Sequence, residues 1–101
     1  MINCERKRDG KVKVTFRVPG DVSAGKISVV GDFNDWAPGA NPLRRSGDAR
    51  TGSVTLDGGR RYAFRYLGEG GEWFNDQDAH GYEHNEYGET NGVIDLTDGN
   101  R

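Results

Sequence analysis

The chain has 101 residues, 30% of them charged and 33% in the hydrophobic class, with 14 basic against 16 acidic side chains and a net charge of −2. That length fits one domain. No apolar run approaches the ~20 residues that span a bilayer, residues 1–8 lack the apolar stretch of a secretory signal, and a single cysteine, Cys4, excludes an internal disulfide framework and a multi-cysteine zinc site. These features point to the reducing cytoplasm and away from membranes. Leu, Ile, Val and Phe number only 19, so the Trp, Tyr and Phe residues, which bury roughly 150–250 Å² each, must supply much of the core.

Residues 1–10 read as a polar lead-in, residues 11–97 as the folded domain and residues 98–101 as a tail. Val12, Val14, Phe16 and Val18 alternate with polar residues, the period of a half-buried strand, and Pro19-Gly20-Asp21 breaks it. A second strand is expected over residues 26–31, with Ile27 and Val29 on one face. A third is expected over residues 52–56, with Val54 and Leu56 paired. Over residues 60–67 the alternation is clearest, with Tyr62, Phe64 and Tyr66 on one face and Arg61, Ala63 and Arg65 on the other. Trp73 and Phe74 form a short strand after a Gly-rich hairpin connection. The stretch from Asp76 to Gly92 carries no strand signal and reads as a long loop. Residues 93–96 close the chain, with Ile94 and Leu96 inward. No window shows helical spacing, and short strands between Gly-, Pro- and Asp-rich turns predict an all-β antiparallel sandwich.

Charge is unevenly distributed: residues 1–17 carry a net +4 and residues 69–89 a net −7. The basic cluster reads as a solvated lead-in and strand edge. The acidic stretch would repel a phosphate backbone, so nucleic acid is a poor partner.

Three chemical motifs fail on context. His80-Gly81-Tyr82-Glu83-His84 matches a zinc-protease string, but that chemistry needs both histidines on one helical face, and the surrounding Gly, Asn and Asp disfavour a helix. Asp76-Gln77-Asp78 begins like a calcium loop, yet its fifth position is His80 and its twelfth is Tyr87 instead of a bidentate Glu. The many carboxylates lie in turns rather than facing each other across a cleft, as glycoside hydrolysis requires. The expectation is therefore a protein without catalytic residues, metal or cofactor.

What remains is a pair of tryptophans at strand–loop junctions. Gly31-Asp32-Phe33-Asn34-Asp35-Trp36 follows a strand directly. Phe33 is expected to anchor the turn to the core and Asn34 to tighten it. Trp36 and Trp73 both fall where full burial is hard to arrange. An exposed indole suits a pyranose ring, whose slightly positive C–H groups pack on the negative π face while its hydroxyls stay at the rim. Neighbouring Asn, Arg and Asp side chains then bond those hydroxyls.

At these residues the chain resembles carbohydrate-binding module family 48, the isoamylase N-terminal or early-set domains, which include the glycogen-binding domain of the AMP-activated kinase β subunit. The residues that carry the likeness are Ile27-Ser28-Val29-Val30-Gly31-Asp32-Phe33-Asn34-Asp35-Trp36. Tyr62-Ala63-Phe64-Arg65-Tyr66 resembles the family's Tyr-x-Phe strand, Glu72-Trp73 its Gly-x-Trp hairpin and Asn91-Gly92-Val93-Ile94 its terminal strand. The resemblance spans roughly residues 11–97. It implies an immunoglobulin-like sandwich and a non-catalytic role binding α-1,4-glucan (glycogen, starch or maltodextrin). Trp36 and Trp73 would be the stacking platforms and Asn91 the hydroxyl-bonding residue, assisted by Arg65 and Arg61. In one departure, glucan-binding members carry Lys where this chain has Ala63. The alternative is a regulatory domain that keeps the fold without sugar and docks on a glycogen-metabolising enzyme.

Overall fold

A computed structural model describes residues 2–20 and 25–97. The alternating apolar positions of the sequence become strands in two antiparallel sheets packed face to face, an immunoglobulin-like sandwich. The first sheet contains β1 (Ile2–Arg6), β2 (Lys11–Pro19), β5 (Ala49–Asp57) and β4 (Arg44–Ser46), in the order β1-β2-β5-β4. The second contains β3 (Ile27–Gly31), β6 (Arg61–Gly68), β9 (Thr90–Asp95) and β8 (Gly81–His84), in the order β3-β6-β9-β8, and β7 (Trp73–Phe74) also pairs with β6.

The core is the sum of the period-two faces: Val12, Val14, Phe16 and Val18 from β2 meet Ile27, Val29, Tyr62, Phe64, Tyr66 and Ile94 from the opposite sheet. Aromatics do carry it. The Phe16 ring lies 5.4 Å from Phe64 and 6.3 Å from Tyr66, the latter edge-on, geometries that add to the area buried.

Several elements differ from the sequence-based expectation. The lead-in contains β1, which pairs with β2 from Ile2↔Phe16 to Arg6↔Val12. Only Ile2 and Cys4 pack on the core from it, too few apolar residues to reveal the strand. The stretch read as a long loop from Asp76 to Gly92 carries β8 and the start of β9. In β8, Tyr82 and Glu83 are exposed, and an exposed edge strand has little hydrophobic alternation to read. Strand β4 is wholly exposed for the same reason. The third expected strand is longer at both ends, Ala49–Asp57. The tail 98–101 and Asp21 lie outside the described residues.

Candidate functional site

The second sheet has two faces, and the one turned away from the core is not bare. Val30, Ala63 and Val93 are buried there, yet none belongs to the core cluster. Register brings them together: Ala63 faces Val93 across β6–β9, and Arg65 faces Val30 across β3–β6. They form the outward face of this sheet, beside which Arg61, Arg65, Asn91 and Trp73 stand.

Trp36 is placed by a tight turn. Strand β3 ends at Gly31, and a single 3-10 turn, Asp32–Asn34, follows. Asn34 tightens it as expected: its Oδ1 accepts from the Gly31 amide at 3.0 Å and its Nδ2 donates to the Val29 carbonyl at 3.0 Å. Phe33 anchors it against Phe16, with ring centroids 6.0 Å apart. Asp35 and Trp36 then both adopt left-handed backbone, φ 57° each, a conformation that costs a bulky residue about 1–2 kcal/mol. Hydrogen bonds hold it. The Trp36 amide donates to the Gly31 carbonyl at 3.0 Å, and the indole Nε1 donates to Asp32 Oδ1 at 3.0 Å. The other oxygen of Asp32 accepts from the Ala63 amide at 2.8 Å. One carboxylate thus ties the indole to the β6 backbone. Trp36 is half-buried rather than freely exposed.

Trp73 arrives from the other end of β6. Its partner across β6–β7 is Leu67, two residues beyond Arg65, so it projects on the same face. It is 41% exposed. The Arg65 guanidinium lies over its ring, 5.9 Å from the centroid. Arg65 is itself only 12% exposed and is engaged through two of its nitrogens: Nε donates to Asn75 Oδ1 at 3.0 Å, and Nη1 donates to Glu89 Oε1 at 2.5 Å. Asn75 passes the restraint on, donating from Nδ2 to the Thr90 carbonyl at 2.7 Å. Glu89, Asn75 and Arg65 therefore pin the β8–β9 hairpin against β6 and brace one side of the indole.

Asn91 follows from register. Phe64 pairs with Gly92, so Asn91 comes next to Arg65 on the outward face. It is 7% exposed, and its Oδ1 accepts from Asn85 Nδ2 at 3.2 Å. Arg61 lies on the same face of β6 and pairs with Asp95 across the strand at 3.9 Å, exposed to solvent. Arg61, Arg65, Asn91 and Trp73 thus border one face of one sheet, while Trp36 sits beside β6 on the turn after β3. Asp32, Asn75 and Glu89 were missed, because nothing local distinguishes a bridging carboxylate or amide from a turn-former.

Trp73 also lines a cleft of about 550 Å³ between β7 and the end of β2, with Phe74, Val18 and Gln77 among its walls. On its floor the Tyr66 hydroxyl donates to buried Asp76 Oδ2 at 2.6 Å. Burial pushes the Asp76 carboxyl up, but hydrogen bonds, including those from Tyr66 and the Asp78 amide, bring it below the ordinary carboxylate range. Burial, then the Asp76 bond and charge, push the Tyr66 hydroxyl far above its ordinary value. Asp76 is therefore a structural acceptor.

His80 and His84 bracket β8, an extended strand, and four residues of strand separate side chains by about 13 Å. His80 Nδ1 accepts from the Asp95 amide at 2.9 Å. Among the described residues no group of three or more His, Cys, Asp or Glu could hold a metal.

The fold is a two-sheet sandwich with Trp73 on the outer face of β6 and Trp36 on the turn that follows β3. No protein-family model matches the chain. Among curated proteins, the chain is 39% identical over 61 residues to the 1,4-alpha-glucan branching enzyme GlgB of Deinococcus radiodurans, a match covering 58% of this chain and 9% of that enzyme. It is 40% identical over 62 residues to the 1,4-alpha-glucan branching enzyme GlgB of Salinibacter ruber, covering 59% of this chain and 10% of the enzyme. The matched segment is about a tenth of the length of these relatives. No helix among the described residues is long and apolar enough to cross a membrane.

Proposed function

We propose that the domain is a non-catalytic module that binds α-1,4-glucan on the outer face of the second sheet, as in carbohydrate-binding module family 48. The observation that carries the reading is a pair of partly open indoles beside β6: Trp73 projects from its outward face opposite Leu67, and Trp36 is tied through Asp32 to its backbone at Ala63. Each indole stacks a glucosyl ring, while the Asn91 amide nitrogen and the Arg61 and Arg65 guanidinium groups lie at the hydroxyl rim. The likeness to branching enzymes that act on 1,4-α-glucan supports the choice of sugar. If each stack contributes about 1–3 kcal/mol, as for bases on aromatic rings, two stacks and a few hydrogen bonds give millimolar to sub-millimolar affinity at about 4–6 kcal/mol. Such affinity suffices on a polymer that offers many sites.

Titrating maltoheptaose while recording tryptophan fluorescence and amide NMR shifts tests the reading. Perturbations centred on Trp36, Trp73 and β6 are expected, with loss of binding in Trp36→Ala plus Trp73→Ala. A silent titration at millimolar sugar rejects it.

A second reading rests on Arg65 and Ala63. Two nitrogens of Arg65 are held by Asn75 and Glu89, and Ala63 stands where glucan-binding members of the resembled family carry Lys. On that reading the domain docks on an enzyme of glycogen metabolism without touching sugar. Capture of such an enzyme, unaffected by added maltodextrin, separates the two.

A further inference from the structure

At the end of the first sheet, two arginines face each other. The short hairpin β4–β5 pairs Arg45 directly with Arg50. Like charges directly opposite in an antiparallel pair repel, and Asp48, at the turn, is engaged by Arg17 at 3.4 Å. Arg50 itself is unusual. It pairs across β5–β2 with Val18, whose side chain is in the core, so its stem runs along the inner face of the sheet before the guanidinium emerges. Its Nε is buried and has no hydrogen-bond partner. A buried guanidinium nitrogen left unpaired is costly, and such an orphan commonly marks an absent ion or water. Arg45, Arg50 and Asp48 line the same cleft of about 540 Å³, whose remaining walls include Pro19, Gly20 and Ala49.

We propose that this cleft is an oxyanion site that takes a phosphate group, as inorganic phosphate or as a sugar phosphate monoester. A tetrahedral dianion between the two guanidinium groups removes the cross-strand repulsion and, with a shift of the Arg50 side chain that opens its buried Nε to the cleft, gives that nitrogen an acceptor; the planar donor fork of arginine matches such oxygens. Asp48 opposes the anion and keeps the affinity modest. The site lies in the other sheet and shares none of the proposed glucan-contacting residues, though Pro19 lines both it and the Trp73 cleft.

Binding is tested by titrating sodium phosphate at constant ionic strength, with sodium chloride as the matched arm. The Arg50 Nε–Hε NMR signal and the thermal midpoint are followed. The expected result is a saturable Arg50 Nε–Hε shift with half-saturation at about 1–10 mM. Phosphate should also raise the midpoint beyond its general salting-out effect, which any folded variant retains. Arg45→Gln, an exposed strand position that leaves the core untouched, is expected to weaken phosphate about tenfold. Asp48→Asn is expected to tighten it several-fold. A glucose phosphate arm binding more tightly than inorganic phosphate identifies a phosphorylated sugar as the ligand; equal binding identifies the free anion. A response in Arg45→Gln equal to that of the parent protein, a shift reproduced by chloride, or weaker binding in Asp48→Asn overturns the proposal.

Discussion

Tyr66 and Asp76 show how a single polar contact secures the edge of this core. The hydroxyl and carboxylate are both buried and bond at 2.6 Å, and the Asp76 backbone carbonyl accepts in turn from the Tyr82 hydroxyl at 2.6 Å. Removing a buried partner from a charged acceptor costs roughly 1.5–3 kcal/mol, so Tyr66→Phe is expected to lower the thermal midpoint by about 10 °C, read by circular dichroism. The pH dependence has a definite sign. The carboxyl of Asp76 is lowered by folding, so its contribution is present above the unfolded value near ~3.9 and is lost as the pH falls through the folded value. The Tyr66 hydroxyl is raised, so its contribution is intact below about pH 10 and is lost as the pH rises further. Denaturant midpoints measured from pH 3 to 11 should fall at both ends, and Tyr66→Phe should remove the alkaline limb attributable to this residue. At the proposed glucan face, Glu89 holds Arg65 over Trp73. Glu89→Ala is expected to loosen that bracing and weaken maltoheptaose by about tenfold, or ~1.4 kcal/mol, while shifting the fluorescence of the sugar-free protein. Unchanged affinity and emission would show that Trp73 needs no such support.

Among the elements, the junction of β3 and β6 is packed backbone to backbone. A Cβ at Gly31 would lie 2.4 Å from the Ala63 carbonyl oxygen and 2.9 Å from Phe64 Cβ. The backbone there is extended, φ −172°, so any residue could adopt the angle, and only close approach demands glycine. Gly31→Ala must push β3 from β6 at the root of the Trp36 turn. A loss of about 1–3 kcal/mol in urea denaturation is expected, and sugar affinity should fall with it because Trp36 hangs from the same turn. Edge strand β1 illustrates the opposite case. Its polar residues alternate with Ile2 and Cys4, which cover the core without entering it. Burial raises the Cys4 thiol, with the Arg6 charge pulling the other way. Alkylation by iodoacetamide at pH 8 is therefore expected to be about tenfold slower than in urea-unfolded protein, and to report the opening of β1. Equal rates would mean that β1 leaves the sheet freely.

For the molecule as a whole, the charge asymmetry of the sequence becomes an asymmetry between sheets. The outward positions of β2 are Lys11, Lys13, Thr15 and Arg17, whereas β8 and its flanks are acidic. A neutral glucan is indifferent to that field, so its affinity should change less than about twofold between 50 and 500 mM salt. A charged docking partner would respond steeply, which makes salt dependence a discriminator between the two readings of function.

The sandwich itself was legible in β2 and β6, because a strand with one face in the core writes its burial into alternate residues. The turn roles of Phe33 and Asn34 were legible because turn chemistry is local. Strands β1, β4 and β8 were not, since edge strands bury too little for alternation to show. Nor were the roles of Asp32, Asn75 and Glu89, or the meeting of Arg45 with Arg50. Each depends on which residue register sets opposite which, as when Asp32 Oδ2 meets the Ala63 amide 31 positions away. Period and turn type arise from a few neighbouring residues and survive in sequence. Pairing across strands is decided by the packing of two sheets, and only that packing brings Arg65, Asn91 and Trp73 onto one face.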